Sequence, residues 1–251
     1  PNNPLPSRFD MLEALSGGSG NDTLRGPLVA ADDVDLNEIE LEKATEESLR
    51  RIEGLVELLR PAGAPFDYAA SFLRGTPESD TDGVHKVMIG GPGNDLIEGR
   101  GGNDYLDGDA MLRVQLRDTV SGERYDSARQ VQAAVFRGEV NPGQLEIVRD
   151  IVMDPNADTS IDTAFYRNSY GSYTISQLPD GYWRVEHTQV QEAEESDGTD
   201  VIRGFEVLQF SDGCAMLNDA GTAWVECEKT AQVLLDTANQ VEDQPIKATL
   251  A

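Results

Sequence analysis

The chain has 251 residues, of which 46 are Asp or Glu and 20 are Lys or Arg, so its formal net charge is −26. This length allows one large or two ordinary domains with a hydrophobic core. The charge argues against nucleic acid or an anionic membrane surface as a partner, because both are bound through basic patches. So many acids repel one another in a folded chain unless cations neutralise some of them.

No apolar stretch approaches the roughly 18 residues of a membrane-spanning helix. The first ten residues lack the basic segment and apolar core of a cleavable signal peptide. The chain begins with Pro1, and we treat it as a piece of a longer protein whose targeting signal could lie outside it. Two cysteines, Cys214 and Cys227, are too few for a zinc cage. They form either one disulfide, as in a secreted protein, or two buried free thiols.

Three nine-residue units share glycines, an Asn-Asp pair and an apolar residue at fixed offsets. They span residues 17–25, 90–98 and 99–107, and the last two are contiguous. The glycines favour a tight turn with positive backbone φ, and the Asp at the sixth position projects into that turn. The apolar residue at the eighth position points inward from a short strand. The aspartates are Asp22, Asp95 and Asp104, and the apolar residues are Leu24, Ile97 and Leu106.

An insertion of residues 26–89 separates the first unit from the second. Between Leu36 and Arg60 its pattern predicts a helix, with Glu and Arg on one face and an apolar stripe on the other. Pro61 ends this helix. The apolar stripe consists of Ile52, Val56 and Leu59.

Residues 111–213 have a mixed pattern. A strand is predicted around 112–116, and a short helix from Asp126 to Arg137 that ends at Gly138. Residues 144–154 fit both a helix and a strand. From Ile161 onwards all predicted elements are strands, and the last two are expected to pair. These strands span 164–167, 173–177, 182–188, 201–202 and 205–210. Residues 214–251 have no strong pattern beyond a weak helix near 230–241, and form either a docked cap or a linker.

The pattern G-G-x-G-N-D-x-u-x, in which u is apolar, resembles the calcium-binding nonapeptides of the repeats-in-toxin (RTX) family. Calcium prefers six to eight oxygen ligands, which glycine-turn carbonyls and one Asp per turn can supply. The resemblance implies a short parallel β-roll in which the first unit folds back onto the later pair, with Asp22 and Asp104 on the same side. The ligands that it implies are the side chains of Asp22, Asp95 and Asp104 and the carbonyls around Gly18, Gly20, Gly91, Gly93, Arg100 and Gly102. The alternative is that these units are ordinary hairpin turns without metal.

Two further segments resemble parts of RTX proteins. Residues 197–213, with the pattern D-G-T-D-x-u-x-G-u-E-x-L-x-F-x-D-G, resemble a block found beside RTX repeats in large secreted bacterial proteins. Residues 85–116 resemble the RTX extension of animal-type bacterial haem peroxidases. The haem domain itself is absent, because neither His85 nor His187 lies in a predicted helical pocket. We therefore carry over calcium binding and not peroxidase activity.

The sequence predicts an α+β protein: a short parallel β-roll of calcium-binding repeats, interrupted by a helical insertion and followed by a mainly antiparallel β region. We divide it into residues 1–110, 111–213 and 214–251. The expected function is a non-enzymatic, calcium-folded module of a secreted or cell-surface bacterial protein. Two alternatives stay open: a calcium-dependent adhesion module that binds a glycan, a peptide or a neighbouring domain, and an accessory region of a haem peroxidase.

Overall fold

The computed structural model describes residues 14–26, 46–65, 68, 86–155, 157–190, 196–218 and 220–227. These residues form sixteen short strands in three sheets and three short α-helices. In chain order the elements are β1 Ala14–Ser16, β2 Thr23–Arg25, α1 Glu46–Leu49, β3 Ile52–Glu53, α2 Leu55–Leu58, β4 Val87–Ile89, β5 Leu96–Glu98, β6 Tyr105–Asp107, β7 Ala110–Asp118, β8 Arg124–Tyr125, α3 Ala128–Phe136, β9 Leu145–Met153, β10 Thr163–Phe165, β11 Tyr173–Gln177, β12 Trp183–His187, β13 Thr199–Arg203, β14 Val207–Gln209, β15 Cys214–Leu217 and β16 Trp224–Glu226.

Two of the sheets have six strands each and face one another. The first has the order β1-β4-β6-β13-β12-β11, and the second β16-β15-β14-β10-β5-β2. In the first sheet β1, β4, β6 and β13 are parallel, and in the second β2, β5, β10 and β14 are parallel. Along these eight strands the chain alternates between the first sheet and the second. We call the side where it passes from the first sheet to the second the first edge, and the side where it returns the second edge.

The core between the two sheets contains one inward side chain from each of the eight parallel strands. Because successive side chains of a strand point to opposite faces, a three-residue strand directs its middle residue inward. These inward residues include Leu24, Met88, Ile97, Leu106, Ala164, Ile202 and Leu208, all of them buried. On the outer face of the first sheet, Val87, Ile89 and Tyr105 pack against Leu58 and Leu59 of the insertion. The described part of the insertion therefore packs on the outer face of strands β4 and β6.

The third sheet has the order β3-β9-β7-β8. Its strands β7, β8 and β9 belong to an excursion of the chain from the first edge, and β3 comes from the insertion. β7 and β9 pair antiparallel along nine residues each. The backbone amide of Asp154 donates to the carbonyl of Asp109 over 2.8 Å, so the excursion leaves and returns at one point. Helix α3 packs on this sheet through Val131. The helix predicted from Asp126 to Arg137 is confirmed, and Gly138 ends it with a φ of 74°.

Three predictions about secondary structure need comment. Residues 144–154 fitted both a helix and a strand pattern. They form strand β9 because β7 pairs with it along its whole length. The continuous helix predicted up to Arg60 is wrong for its described part, since Ile52–Glu53 is a strand paired with β9 and Gly54 has a φ of 82°. Residues 36–45 of that helix and the weak helix at 230–241 lie outside the described residues.

One prediction about pairing is wrong. The last two predicted strands, β13 and β14, lie in different sheets and do not pair. Most strand pairs after residue 110 are antiparallel, as predicted. However, β10 and β13 pair in parallel with the repeat strands β5 and β6, and β14 pairs in parallel with β10. A boundary at residue 110 therefore does not separate the described strands.

Residues 214–227 are part of the fold rather than a tail. β15 and β16 extend the second sheet in an antiparallel manner, and a disulfide joins Cys214 to Cys227. Of the two alternatives for the cysteines, the structure therefore has the bridge.

Candidate metal-binding turns

The glycine turns of the first two repeat units stack on one another at the first edge. The backbone amide of Gly20 donates to the carbonyl of Pro92 over 2.7 Å. The backbone amide of Asp22 donates to Oδ1 of Asp95 over 2.7 Å. The two turns therefore lie in register, with the aspartates at equivalent positions.

The same hydrogen bond repeats along the first edge beyond the nonapeptides. The amide of Asp95 donates to Oδ1 of Asp162 over 2.6 Å, and the amide of Asp162 donates to Oε2 of Glu206 over 2.8 Å. One carboxylate from each of four successive coils thus forms a row along this edge, from Asp22 to Glu206.

The second edge carries a shorter row. The amide of Lys86 donates to Oδ1 of Asp104, and the amide of Asp104 donates to Oδ1 of Asp200, both over 2.8 Å. The amide of Thr199 donates to Oδ1 of Asn103 over 2.8 Å, so residues 197–200 stack on the turn of residues 99–104. Asp200 takes the position in its turn that Asp104 takes in the repeat.

The expectation that Asp22 and Asp104 lie on the same side is wrong. Asp22 and Asp95 are at the first edge, and Asp104 is at the second. A six-residue turn and a three-residue strand together make only half a coil, so consecutive nonapeptides fall on opposite edges. The predicted carbonyl donors divide in the same way. Gly18, Gly20, Gly91 and Gly93 are at the first edge, and Arg100 and Gly102 are at the second.

The second carboxylate oxygen of these aspartates points into the aspartate's own turn. A Cβ placed on the first glycine of the turn lies 2.4 Å from Oδ2 of Asp95, 2.5 Å from that of Asp104 and 2.7 Å from that of Asp162. Oδ2 of Asp104 and of Asp162 are buried, and neither accepts a hydrogen bond from any described residue. Such oxygens require a cation or a proton.

The turns require glycine because their backbones are in direct contact. Gly93 has a φ of 139°, and a Cβ on it would lie 2.2 Å from the carbonyl oxygen of Gly20. A Cβ on Gly198 would lie 2.0 Å from the carbonyl oxygen of Gly102. Arg100, with a φ of 65°, has the left-handed conformation in the one repeat turn where glycine is replaced at the second position. The backbone of one turn therefore lies directly against carbonyl oxygens of the adjacent turn.

Burial raises the pKa values of these carboxylates. Burial, with smaller contributions from Asp95 and Glu206, raises the pKa of Asp162 to about 8. Burial and the nearby Asp104 raise the pKa of Asp200 well above its usual value. Burial also raises the pKa of Asp104, although Lys86 opposes this shift. Buried carboxylates of this kind are stabilised by a cation close to them.

The available ligand atoms are all oxygens, which suits a hard cation such as calcium. Within the described ranges, no group of three or more His, Cys, Asp or Glu side chains converges to hold a metal ion. Backbone carbonyls of the glycine turns must therefore supply the remaining ligands. The stacked turns, with their buried Oδ2 atoms, fit this requirement.

Stacked glycine turns that each present one carboxylate define the class of calcium-binding repeat proteins. A family model described as RTX calcium-binding nonapeptide repeat (4 copies) matches residues 13–26 and 87–110. The chain therefore contains an RTX calcium-binding region, and calcium is the ion that these repeats bind. No curated protein and no solved structure matches the chain significantly.

Sequence analysis missed three acidic residues of the rows. Asp162, Asp200 and Glu206 lie outside both matched segments. The signal for Asp200 was present, because the five residues from Asp200 to Gly204 share the pattern D-x-u-x-G with those from Asp104 to Gly108. The glycines before Asp162 and Asp200 are mostly lost, so the nonapeptide pattern did not find them.

His187 has a structural role. Its Nδ1 accepts a hydrogen bond from the amide of Asp197 over 3.1 Å, and its ring stacks on Tyr173 with the centroids 4.7 Å apart. His85 lies outside the described residues.

Proposed function

We propose that this chain is a non-enzymatic RTX module of a secreted or cell-surface bacterial protein, which folds on calcium and acts as a scaffold linked to secretion. In this proposal the eight alternating parallel strands form a β-roll of the RTX type. The observation that carries the proposal is the row of in-register carboxylates at the first edge, whose members are Asp22, Asp95, Asp162 and Glu206.

The proposed ligands are the interior carboxylate oxygens and the carbonyls of two adjacent turns. Bound calcium would supply positive charge to oxygens that the fold has removed from water. At the first edge the ligands come from Asp22, Asp95 and Asp162, with the carbonyls of Gly18, Gly20, Gly91 and Gly93. At the second edge they come from Asp104 and Asp200, with the carbonyls of Arg100 and Gly102.

The folding mechanism follows from the shortness of the strands. Each repeat strand has three residues and places one apolar side chain in the core, so the strands alone contribute little burial. The carboxylates of adjacent turns repel one another when they are charged. Ion binding to the folded form alone therefore contributes directly to stability.

Two observations support an extracellular location. RTX repeats occur in secreted bacterial proteins. The disulfide between Cys214 and Cys227 is a bond that persists in oxidising compartments. Among the described residues, no helix has the length and hydropathy to cross a membrane.

Thermal unfolding with and without calcium tests the proposal. With calcium at about 100 times its dissociation constant, one site adds about 2.7 kcal/mol, which raises the melting temperature by roughly 8 °C in a chain of this size. Asp95→Asn should remove much of this increase. Asp180→Asn is the matched control, because Asp180 is an exposed turn residue. Equal melting temperatures in chelator and in millimolar calcium would contradict the proposal. The same measurement in magnesium tests whether the sites select calcium.

A further inference from the structure

Lys86 occupies the position of a repeat aspartate at the second edge. Strand residues Val87, Tyr105 and Val201 are paired in register. The residues that precede them, Lys86, Asp104 and Asp200, are therefore equivalent in three neighbouring coils. One of these three positions carries a positive charge where the other two carry negative charges.

The ammonium group of Lys86 lies against the next turn. Its Nζ is 3.1 Å from Oδ1 of Asp104 and donates to the carbonyl oxygen of Gly101 over 2.5 Å. The side chain is only 3% exposed. A buried cation is thus held by one carboxylate and one turn carbonyl, which are the two kinds of ligand that the calcium turns offer.

The fold leaves room for the lysine stem. A Cβ placed on Gly26 would lie 2.7 Å from Cε of Lys86 and 2.3 Å from the carbonyl oxygen of Gly99. The stem therefore passes beside Gly26 towards the turn of residues 99–104. Any larger residue at position 26 would occupy that path.

The two edges differ in the donor that binds the carbonyl of the third residue of a repeat turn. At the first edge the carbonyl of Pro92, the third residue of its turn, accepts from the amide of Gly20. At the second edge the third residue is Gly101, and its carbonyl accepts from Nζ of Lys86. At the second edge the ammonium group of Lys86 thus replaces the backbone donor that a neighbouring glycine turn supplies at the first edge. It also adds a positive charge.

We propose that Lys86 is a built-in cation that closes the start of the second edge, so that this junction forms without calcium. The inference rests on the proposed function, since it assigns calcium only to the other junctions between turns. The second edge then begins from a calcium-independent contact between Lys86 and Asp104, while the first edge depends on calcium throughout.

Three variants test this inference. Lys86→Met keeps the stem and removes the charge, and Lys86→Asp restores the residue type of the repeat. Arg25→Met is the control, because Arg25 pairs with Glu98 over 3.4 Å in an adjoining strand but its side chain is 57% exposed. Melting temperature in chelator and the number of calcium ions bound per chain, by equilibrium dialysis, are the two measurements.

In chelator, Lys86→Met should melt roughly 10 °C below the parent chain, because Asp104 loses its buried partner. Arg25→Met should melt within about 2 °C of the parent, as expected for an exposed ion pair. Lys86→Asp should bind one more calcium ion than the parent, and calcium should raise its melting temperature by more than it raises that of the parent.

Equal melting temperatures of Lys86→Met and Arg25→Met in chelator would overturn the inference. So would an unchanged calcium number in Lys86→Asp, or a Lys86→Asp chain that does not fold at any calcium concentration. A parent chain that binds no calcium would instead refute the proposed function, and the chelator comparison would still report on Lys86.

Discussion

The backbone amide of Asp104 donates a hydrogen bond to Oδ1 of Asp200 over 2.8 Å, although 96 residues separate the two in sequence. This bond aligns the turn that contains Asp200, which has lost most of the nonapeptide pattern, with the nonapeptide turn of Asp104. It assigns Asp200 the same role as a repeat aspartate.

We therefore expect Asp200→Asn to weaken calcium binding about tenfold, which corresponds to roughly 1.4 kcal/mol, because one carboxylate ligand is lost. An asparagine at this position keeps an acceptor for the amide of Asp104, so the fold is retained. Asp212→Asn is the matched control, since Asp212 also accepts a backbone amide, that of Tyr170, but on the surface. Isothermal titration calorimetry measures the affinities. An Asp200→Asn chain with the affinity of Asp212→Asn would contradict this assignment.

Asp162→Asn should have effects of opposite sign with and without calcium. Burial disfavours the charged form of Asp162, and its Oδ2 accepts no hydrogen bond from the described residues. In chelator the neutral amide should therefore raise stability, by about 2 kcal/mol at pH 7. In saturating calcium the same change removes a ligand and should lower stability. Denaturant unfolding under both conditions gives the two differences, and a decrease under both would show that Asp162 is only structural.

Gly93→Ala should destabilise the chain whether or not calcium is present. The new Cβ would lie 2.2 Å from the carbonyl oxygen of Gly20, and the φ of 139° is unfavourable for alanine. We expect a loss of about 3 kcal/mol. Gly213→Ala is the control, because a Cβ there has no neighbour within 4 Å. Thermal unfolding of both variants checks this prediction, which fails if the two behave alike.

The third sheet should show a pH dependence of its own. Arg113 donates two hydrogen bonds to Asp150 and, with Arg124, holds the pKa of that carboxyl below its usual value. A lowered pKa in the folded state stabilises the chain above the unfolded pKa, near 4, and this contribution is lost as the pH falls through the folded value.

Asp150→Asn should therefore cost about 1.5 kcal/mol at pH 7, and the difference from the parent should vanish as the pH falls well below 4. Urea unfolding at a series of pH values measures it. A difference that stays constant down to pH 2 would rule out the ion pair as its cause.

The sequence predicted the parts of the fold that depend on local pattern. The glycines and Asn-Asp pairs of residues 17–25 and 90–107 predicted the turns, because positive φ and close backbone approach require glycine. Helix α3 was predicted from its Asp or Ser cap and from Gly138 at its end. Strand β11 was predicted within its observed bounds, from the alternation of its residues.

The parts that sequence analysis missed depend on partners far along the chain. Ile52–Glu53 is a strand only because β9 lies beside it, although its local pattern favoured a helix. β13 and β14 were predicted to pair because they are close in sequence. The chain instead crosses the first edge between them, so β13 joins the repeat strand β6 in the first sheet and β14 joins β10 in the second.

The sequence by itself determined that the chain has glycine turns with inward aspartates, and its resemblance to RTX repeats indicated calcium as the ion. Only the tertiary structure decided which aspartates share an edge, that Asp162 and Asp200 extend the two rows, and that Lys86 meets Asp104. The reason is physical. A turn is specified by the backbone freedom of a few adjacent residues, whereas the neighbours of a carboxylate are set by the register of strands that excursions such as β7 to β9 separate in sequence.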